Sequence, residues 1–170
     1  MLQSYRRKLE FFLVAIIIAI LFATAFERYA ELAKEAKILR LRVISEHFLT
    51  AAVNLRIESL LSKIPSLETT AQKGVMVDGK VLYVSDQGWP LSTSPLSHNY
   101  RPTDTDCYEL WQILLQNPAS ITLGEFTPAS ADYRVFARGD VCRYAMTNDA
   151  YFFDYIPVTG KLLFSSPVKE

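Results

Sequence analysis

Four side chains could ligate a metal or take part in nucleophilic catalysis: the thiols of Cys107 and Cys142 and the imidazoles of His47 and His98. Metal sites and Cys–His nucleophiles need such groups, or carboxylates, at characteristic spacings. Neither histidine has a Cys, Asp or Glu at ligand spacing, so we predict no catalytic residue and no metal ligand among them. We expect the two cysteines to form one disulfide in an oxidising compartment, with two buried free thiols as the alternative.

Asp104, Asp106 and Glu109 form an acidic cluster that could bind a cation. Acids near a helix start more often accept hydrogen bonds from the first backbone amides and favour the helix dipole, so we expect capping. The first glycine of the chain is Gly74, so no phosphate-binding glycine loop precedes it, and no Gly-x-Ser-x-Gly motif occurs. We predict a protein that is not an enzyme and that binds no cofactor.

The charges balance overall but not along the chain, with 18 Lys and Arg against 18 Asp and Glu. Residues 1–64 carry ten basic and six acidic side chains, a net charge of +4, whereas residues 65–170 carry eight and twelve, a net charge of −4. Nucleic-acid binding proteins usually have a strongly basic face. We therefore expect no nucleic-acid partner.

Residues 11–26 contain no charged side chain and a single hydroxyl, that of Thr24. A helix of this length spans roughly 24 Å, and flanking basic side chains can extend it across a ~30 Å hydrocarbon core. We predict a transmembrane segment, preceded by a basic cytoplasmic N-terminus over residues 1–10. A cleaved secretory signal is the alternative, because Ala23-Thr24-Ala25 fits the small-x-small cleavage pattern. The absence of Gly and Pro over 27–61 favours the anchor.

Glu10 lies at the edge of the apolar run, where an ionisable group is costly and is usually paired. Its partner could be Arg6, one helical turn earlier, or a group of another chain. The residues that we expect to contact lipid or a partner helix are Glu10, Phe11, Phe12, Ile17 and Leu21.

Residues 27–64 are predicted to extend the same helix as far as Pro65, because their apolar side chains recur at helical spacing. These stripes could pack against the second half of the chain or against other helices of the same shape, along different lengths. The stripes are Leu32, Ala36, Leu39 and Val43; Leu41, Ile44, Phe48, Ala52 and Leu55; and Leu49, Val53, Ile57, Leu60 and Ile64.

Residues 65–170 are predicted to form a small antiparallel sheet, which gives an α+β fold. Asp78-Gly79 predicts a two-residue hairpin, Asp86–Pro102 an irregular loop, and Asp106–Gln116 a short helix capped by Asp106 with Glu109 three residues later. The other strands are expected to form an antiparallel meander. They are Ile121–Phe126, Tyr133–Arg138, Val141–Thr147, Tyr151–Ile156 and Leu162–Ser165.

Several motifs of the chain carry a resemblance to a known family. They are Glu10 with the run Phe11–Leu21, Gly88-Trp89-Pro90, Cys107-Tyr108-Glu109-Leu110-Trp111, Cys142-Arg143-Tyr144 and Phe153-Asp154-Tyr155-Ile156-Pro157-Val158-Thr159-Gly160. This arrangement resembles type IV pilins and pseudopilins, which have a basic start, an acid, a long apolar helix and a C-terminal sheet. Within that group it is most similar to the biogenesis protein F family of mannose-sensitive haemagglutinin (MSHA) pili. The chain departs from prepilins in having no glycine before Gly74, whereas prepilins have one just before the processed N-terminus.

The resemblance implies a pilin-like fold in which the first half of the helix anchors the protein and the head packs on the second half. It implies partners among other pilins, minor pilins and inner-membrane pilus assembly proteins. We therefore expect a non-enzymatic, single-pass inner-membrane assembly factor with a periplasmic head, and its self-association is left open. The alternative is a membrane-anchored periplasmic sensor that binds a small molecule near Trp89 and Trp111.

Overall fold

The computed structural model describes residues 2–61, 73–97, 99–115, 118–124, 131–147 and 150–165, with side chains from Glu10 onward. The chain divides into two compact units, Met1–Arg40 and Leu41–Glu170. A long N-terminal helix followed by sheets confirms the α+β class. The elements are α1 (Leu2–Leu61), β1 (Gly74–Val77), β2 (Lys80–Val84), β3 (Pro90–Ser92), α2 (Asp104–Leu114), β4 (Ile121–Leu123), β5 (Tyr133–Arg138), β6 (Val141–Met146), β7 (Phe152–Ile156) and β8 (Lys161–Ser165).

Helix α1 is continuous from Leu2 to Leu61, as the absence of Gly and Pro predicts. The triplet 23–25, which fits a signal cleavage site, is helical. Pro65, the residue predicted to end the helix, lies outside the described residues.

In the second unit, one face of α1 belongs to the hydrophobic core. The middle apolar stripe supplies this face: Leu41, Phe48 and Ala52 are fully buried, while Ile44 and Leu55 are partly buried. The prediction that one stripe packs against the second half of the chain is therefore confirmed for this stripe.

Phe48 is the side chain through which α1 contacts the aromatic rings of the larger sheet. Its ring centroid lies 5.2 Å from that of Tyr144, 5.7 Å from that of Phe153 and 5.1 Å from that of Tyr155. Tilted and edge-on aromatic pairs at such separations contribute about 0.5–1.5 kcal/mol each beyond the burial of their area. The three partner rings lie on the neighbouring strands β6 and β7, so one helical side chain holds two strands.

The described part of residues 65–170 contains two sheets, where a single sheet was expected. The first is antiparallel with the order β1-β2-β3, and Val77 pairs with Lys80 around the predicted Asp78-Gly79 turn. The expected irregular loop contains the short strand β3, which pairs with β2 across a bulge. Pro90 is compatible with this pairing because it is the first residue of an edge strand, where its missing amide donor is tolerated.

The second sheet has the order β4-β5-β6-β7-β8, and β5 to β8 form the predicted antiparallel meander, with Gly139-Asp140 as the β5–β6 turn. The prediction that the first strand is also antiparallel is wrong, because β4 pairs parallel with β5. Parallel neighbours cannot be joined by a two-residue hairpin, and nine residues, 124–132, separate these two strands in the sequence. Phe126, the predicted end of this strand, lies outside the described residues.

Helix α2 begins two residues earlier than predicted, and its N-cap is Thr103. The Thr103 hydroxyl accepts a hydrogen bond from the Asp106 amide (3.2 Å), and the Asp106 carboxylate accepts one from the Thr103 amide (2.9 Å). This reciprocal pair is a capping box, so Asp106 is the third residue of the helix and not its cap. The predicted end, Gln116, lies outside the described residues.

A disulfide joins Cys107 of α2 to Cys142 of β6, which confirms the predicted bond. Both residues are fully buried beside Trp111, whose ring centroid lies 5.3 Å from that of Tyr144 in a stacked arrangement. The Tyr144 hydroxyl donates a hydrogen bond to the Cys107 carbonyl oxygen (2.8 Å). A covalent bond, a ring stack and a hydrogen bond thus fix α2 on the inner face of the second sheet.

Three phenols donate hydrogen bonds to backbone carbonyl oxygens in and around the core. Burial raises the pKa of Tyr100, Tyr144 and Tyr155; the Asp106 carboxylate adds to the rise for Tyr100, and neighbouring tyrosines add to it for the other two. The acceptors for Tyr100, Tyr144 and Tyr155 are Leu91 (2.6 Å), Cys107 (2.8 Å) and Pro90 (3.2 Å), respectively.

Gly160, in the turn between β7 and β8, lies against the indole ring of Trp89. Its φ of 67° is left-handed, and a Cβ atom added there would overlap the ring. Gly139 has a similar φ of 63°, but no atom lies within 4 Å of a Cβ built on it. A side chain at either position would therefore meet a strained left-handed backbone, but only a side chain at position 160 would also overlap another residue.

Replacing both cysteines by alanine should lower the free energy of unfolding by about 4 kcal/mol, because the bond closes a 35-residue loop in the unfolded chain. Urea denaturation of the full chain in detergent, followed by tryptophan fluorescence, measures the difference. A loss below about 1 kcal/mol would contradict the prediction, since bonds closing loops of this length typically contribute 2–4 kcal/mol.

Gly160→Ala should reduce the free energy of unfolding by about 3 kcal/mol or more, because it adds overlap with Trp89 to a left-handed backbone. Gly139→Ala is the matched control and should cost only about 1 kcal/mol, because it has the strain without the overlap. Both values can be measured by the same denaturation. Equal losses for the two variants would show that Trp89 does not restrict position 160.

The raised tyrosine pKa values predict that the protein loses stability in alkali. Below pH ~10 these three phenols are protonated in both the folded and the unfolded chain, so their contribution to the free energy of unfolding is fully present. Above pH ~10 they ionise first in the unfolded chain, and the free energy of unfolding falls by about 1.4 kcal/mol per pH unit for each of the three. Tyr155→Phe should therefore make the decline between pH 10 and 11.5 shallower by about that amount. Urea denaturation across this range tests the slope, and identical slopes for the two chains would contradict it.

Candidate functional site

The side chains of the apolar run project outward in the first unit. The large apolar side chains between Phe11 and Phe26 are 47% to 74% exposed. Among the described residues, one helix, Glu10–Leu61, is long and apolar enough to cross a membrane, and its most apolar window has none of its residues buried. A large exposed apolar surface of this kind marks a site of contact with a membrane or with another protein.

The predicted contact residues Phe11, Phe12, Ile17 and Leu21 all lie on this exposed surface. The rings of Phe11 and Phe12 meet edge to face with their centroids 6.4 Å apart, and Ile17 and Leu21 share one helical face because they are four residues apart. The Thr24 hydroxyl donates to the carbonyl oxygens of residues 20 and 21, at 3.2 and 3.0 Å. The only hydroxyl in the run is therefore satisfied within the helix, which makes the run compatible with a lipid environment.

Glu10 is exposed and directly precedes the apolar run, as the sequence places it. The side chain of Arg6, its predicted partner on the same helix, lies outside the described side chains.

A second exposed apolar surface lies on α1 in the second unit. Val43, Ile57 and Leu60 are 41%, 50% and 61% exposed, and Glu46 and Thr50 between them are exposed as well. We call these five residues the α1 seam. They lie on the opposite side of the helix from the buried stripe of Leu41, Phe48 and Ala52. Val43, Ile57 and Leu60 belong to the two outer apolar stripes of the sequence, and Glu46 and Thr50 are polar residues between them.

The two tryptophans of the alternative small-molecule site are core residues. Trp111 is fully buried, and its indole nitrogen donates to the Ala119 carbonyl oxygen (3.2 Å). Trp89 is 9% exposed; Gly160 lies against its ring, and the Arg56 guanidinium carbon is 4.5 Å from the ring centroid. The faces and edges through which these indoles would bind a ligand are therefore occupied by the protein itself.

The expected capping role is confirmed for Asp106 of the acidic cluster, whereas Asp104 contacts β5. Asp106 is part of the capping box and also accepts a hydrogen bond from the Ser92 hydroxyl, while Asp104 accepts one from the Ala137 amide (2.7 Å). In the part of the chain that the structure describes, no group of three or more His, Cys, Asp or Glu could hold a metal ion. His47 is exposed on α1, and His98 lies outside the described residues.

Sequence reasoning missed a paired cluster on the outer face of the second sheet. Arg143 of β6 lies opposite Asp154 of β7, and two hydrogen bonds of 2.7 Å join the side chains in a bidentate pair. The Arg143 guanidinium carbon is 3.8 Å from the centroid of the Phe152 ring. The hydrogen bond from Arg143 to Asp154 raises the pKa of the guanidinium. Arg143 and Asp154 are next to Tyr144 and Phe153 in the chain, so their side chains lie on the opposite face of the sheet from these inward-facing rings. Their pairing follows only from the register between β6 and β7, which the sequence alone does not give.

The described residues thus contain two exposed apolar surfaces on α1. No family model, curated protein or solved structure matches the chain.

Proposed function

We propose that the chain is a non-enzymatic, single-pass inner-membrane factor of pilin-like design that takes part in the assembly of MSHA-type pili. The residues from Phe11 to Phe26 lie in the bilayer beside the corresponding helices of pilins, and residues 65–170 form a periplasmic head. The protein acts through contacts between helices and between heads.

The observation that carries the proposal is the exposure of every large apolar side chain between Phe11 and Phe26 on a helix that continues without a break to Leu61. A cleaved signal would not need the strong helix formers that follow it, and its cleavage site is usually extended, whereas residues 23–25 are helical. An uninterrupted helix suits a permanent anchor. Helices in lipid associate by side-chain packing, because lipid offers no hydrophobic driving force between them.

The Cys107–Cys142 disulfide supports an exported head. Structural disulfides persist in oxidising compartments and are rare in the cytosol. The first three charges of the chain, at residues 6–8, are all basic and lie close before the anchor, which favours a cytoplasmic N-terminus. The two features agree on one orientation.

A strain that lacks the chain should lose its surface pili, as counted by electron microscopy, and re-expression should restore them. The double variant Ile17→Glu and Leu21→Glu should fail to restore them, because each acidic side chain costs about 2.5–3.5 kcal/mol within the hydrocarbon core. Pilin recovered with the tagged variant from detergent extracts should fall by about tenfold, which is about 1.4 kcal/mol of association.

A second double variant, Ile17→Ala and Leu21→Ala, separates anchoring from pilin contact. It should stay in the membrane fraction but recover less pilin than the wild type, because it stays apolar and loses packing. Met76→Glu is the matched control on β1, since Met76 is 61% exposed in the head and outside the helix. Normal pili in the deletion strain, or unchanged pilin recovery by the glutamate variant, would refute the proposal.

A further inference from the structure

We propose that the α1 seam binds an amphipathic helix of a different protein, and that this helix places a Lys or Arg opposite Glu46. The proposal rests on the proposed function, since it names the partner of the helix just beyond the anchor. It concerns Val43, Glu46, Thr50, Ile57 and Leu60.

The spacing of the seam fits a helix and not a loop or a sheet edge. Val43, Thr50 and Ile57 recur every seven residues, and Glu46, Val53 and Leu60 occupy the intermediate positions of the same repeat. A seven-residue repeat of this kind keeps one stripe facing a partner helix. Val53 is partly buried against the core, but the five seam residues stay exposed, because the head packs mainly on the opposite side of α1 through Leu41, Phe48 and Ala52.

Glu46 determines the chemistry of the partner. It lies between Val43 and Thr50 on the seam, and in the described part of the chain its carboxylate has no hydrogen bond and no ion pair. Covering the seam would remove this carboxylate from water, which is costly unless a cation pairs with it. A partner helix with a Lys or Arg at the facing position meets that requirement.

The chain's own arginines nearest the seam are already engaged with the head. The guanidinium carbon of Arg42 is 5.6 Å from the ring centroid of Phe164, and that of Arg56 is 4.5 Å from the ring centroid of Trp89. Arg56 also donates a hydrogen bond from Nε to the Gln87 carbonyl oxygen (3.0 Å). Neither arginine forms an ion pair with Glu46 within the described residues, which leaves its carboxylate open to a cation of the partner.

A second copy is a poor occupant of the seam. Two chains anchored by the same N-terminal segment enter the same side of the membrane and run parallel. In register, Glu46 would face Glu46 of the other copy, and like charges at such a position are repulsive. With a shift of one heptad or half a heptad, Glu46 would face another seam position, and none of the five seam residues is a cation.

The test places a photo-crosslinking amino acid at position 50 of the full chain in its native membranes. We expect a heterologous adduct, whose partner is identified by mass spectrometry together with the crosslinked peptide. Glu46→Lys should reduce the adduct at least about tenfold, because an attraction becomes a repulsion. Glu58→Lys is the matched control: it makes the same charge change at an exposed position of α1 outside the seam and should leave the yield unchanged. Glu46→Lys combined with reversal of the partner's facing cation should restore the adduct.

An adduct with a second copy, a heterologous adduct that Glu46→Lys does not reduce, or no adduct at all would each overturn the seam proposal. Thermal melting of the Glu46→Lys chain checks that the exposed substitution leaves the head folded. The two proposals fail separately: a chain that supports pili but gives none of the expected adducts contradicts only the seam, whereas normal pili without the chain contradict the proposed function.

Discussion

The structure of the second unit depends on the aromatic packing beneath Phe48. A helix that contributes one ring to three rings on two neighbouring strands is fixed in rotation about its own axis, because turning it would remove Phe48 from this cluster. That fixed rotation has two results. It places Leu41 and Ala52 in the core, and it directs Val43 and Ile57 to the outside. The division of α1 into a covered and an uncovered side therefore follows from one buried ring.

Helix α2 completes this core from the other side. The disulfide joins it to β6, Trp111 stacks on Tyr144, and Asp106 connects the start of the helix to β3 through the Ser92 hydroxyl. The polar groups of this interior are satisfied: no buried side-chain nitrogen or oxygen in the described residues lacks a hydrogen-bond partner. Residues that could have suggested chemistry, the acids and the cysteines, are used to position α2.

The sequence predicted features that depend on local signals. The continuous helix follows from the absence of Gly and Pro, and the hairpins follow from Asp78-Gly79 and Gly139-Asp140. Features set by distant partners could not be predicted. The parallel pairing of β4 depends on which edge of the sheet is open. The sequence placed the capping box of α2 at residues 106 and 109, one helical turn later than the Thr103–Asp106 box of the structure. For the candidate site, spacing alone predicted three apolar stripes, but only the position of the head shows which of them is covered.

The burial of the two sulfur atoms has a consequence for the order of events in biogenesis. Since Cys107 and Cys142 are both fully buried between α2 and β6, an external oxidant cannot reach them after the interior has closed. Oxidation must therefore occur while α2 is still undocked from β6. A chain that closes before it is oxidised would have to reopen locally to acquire its crosslink.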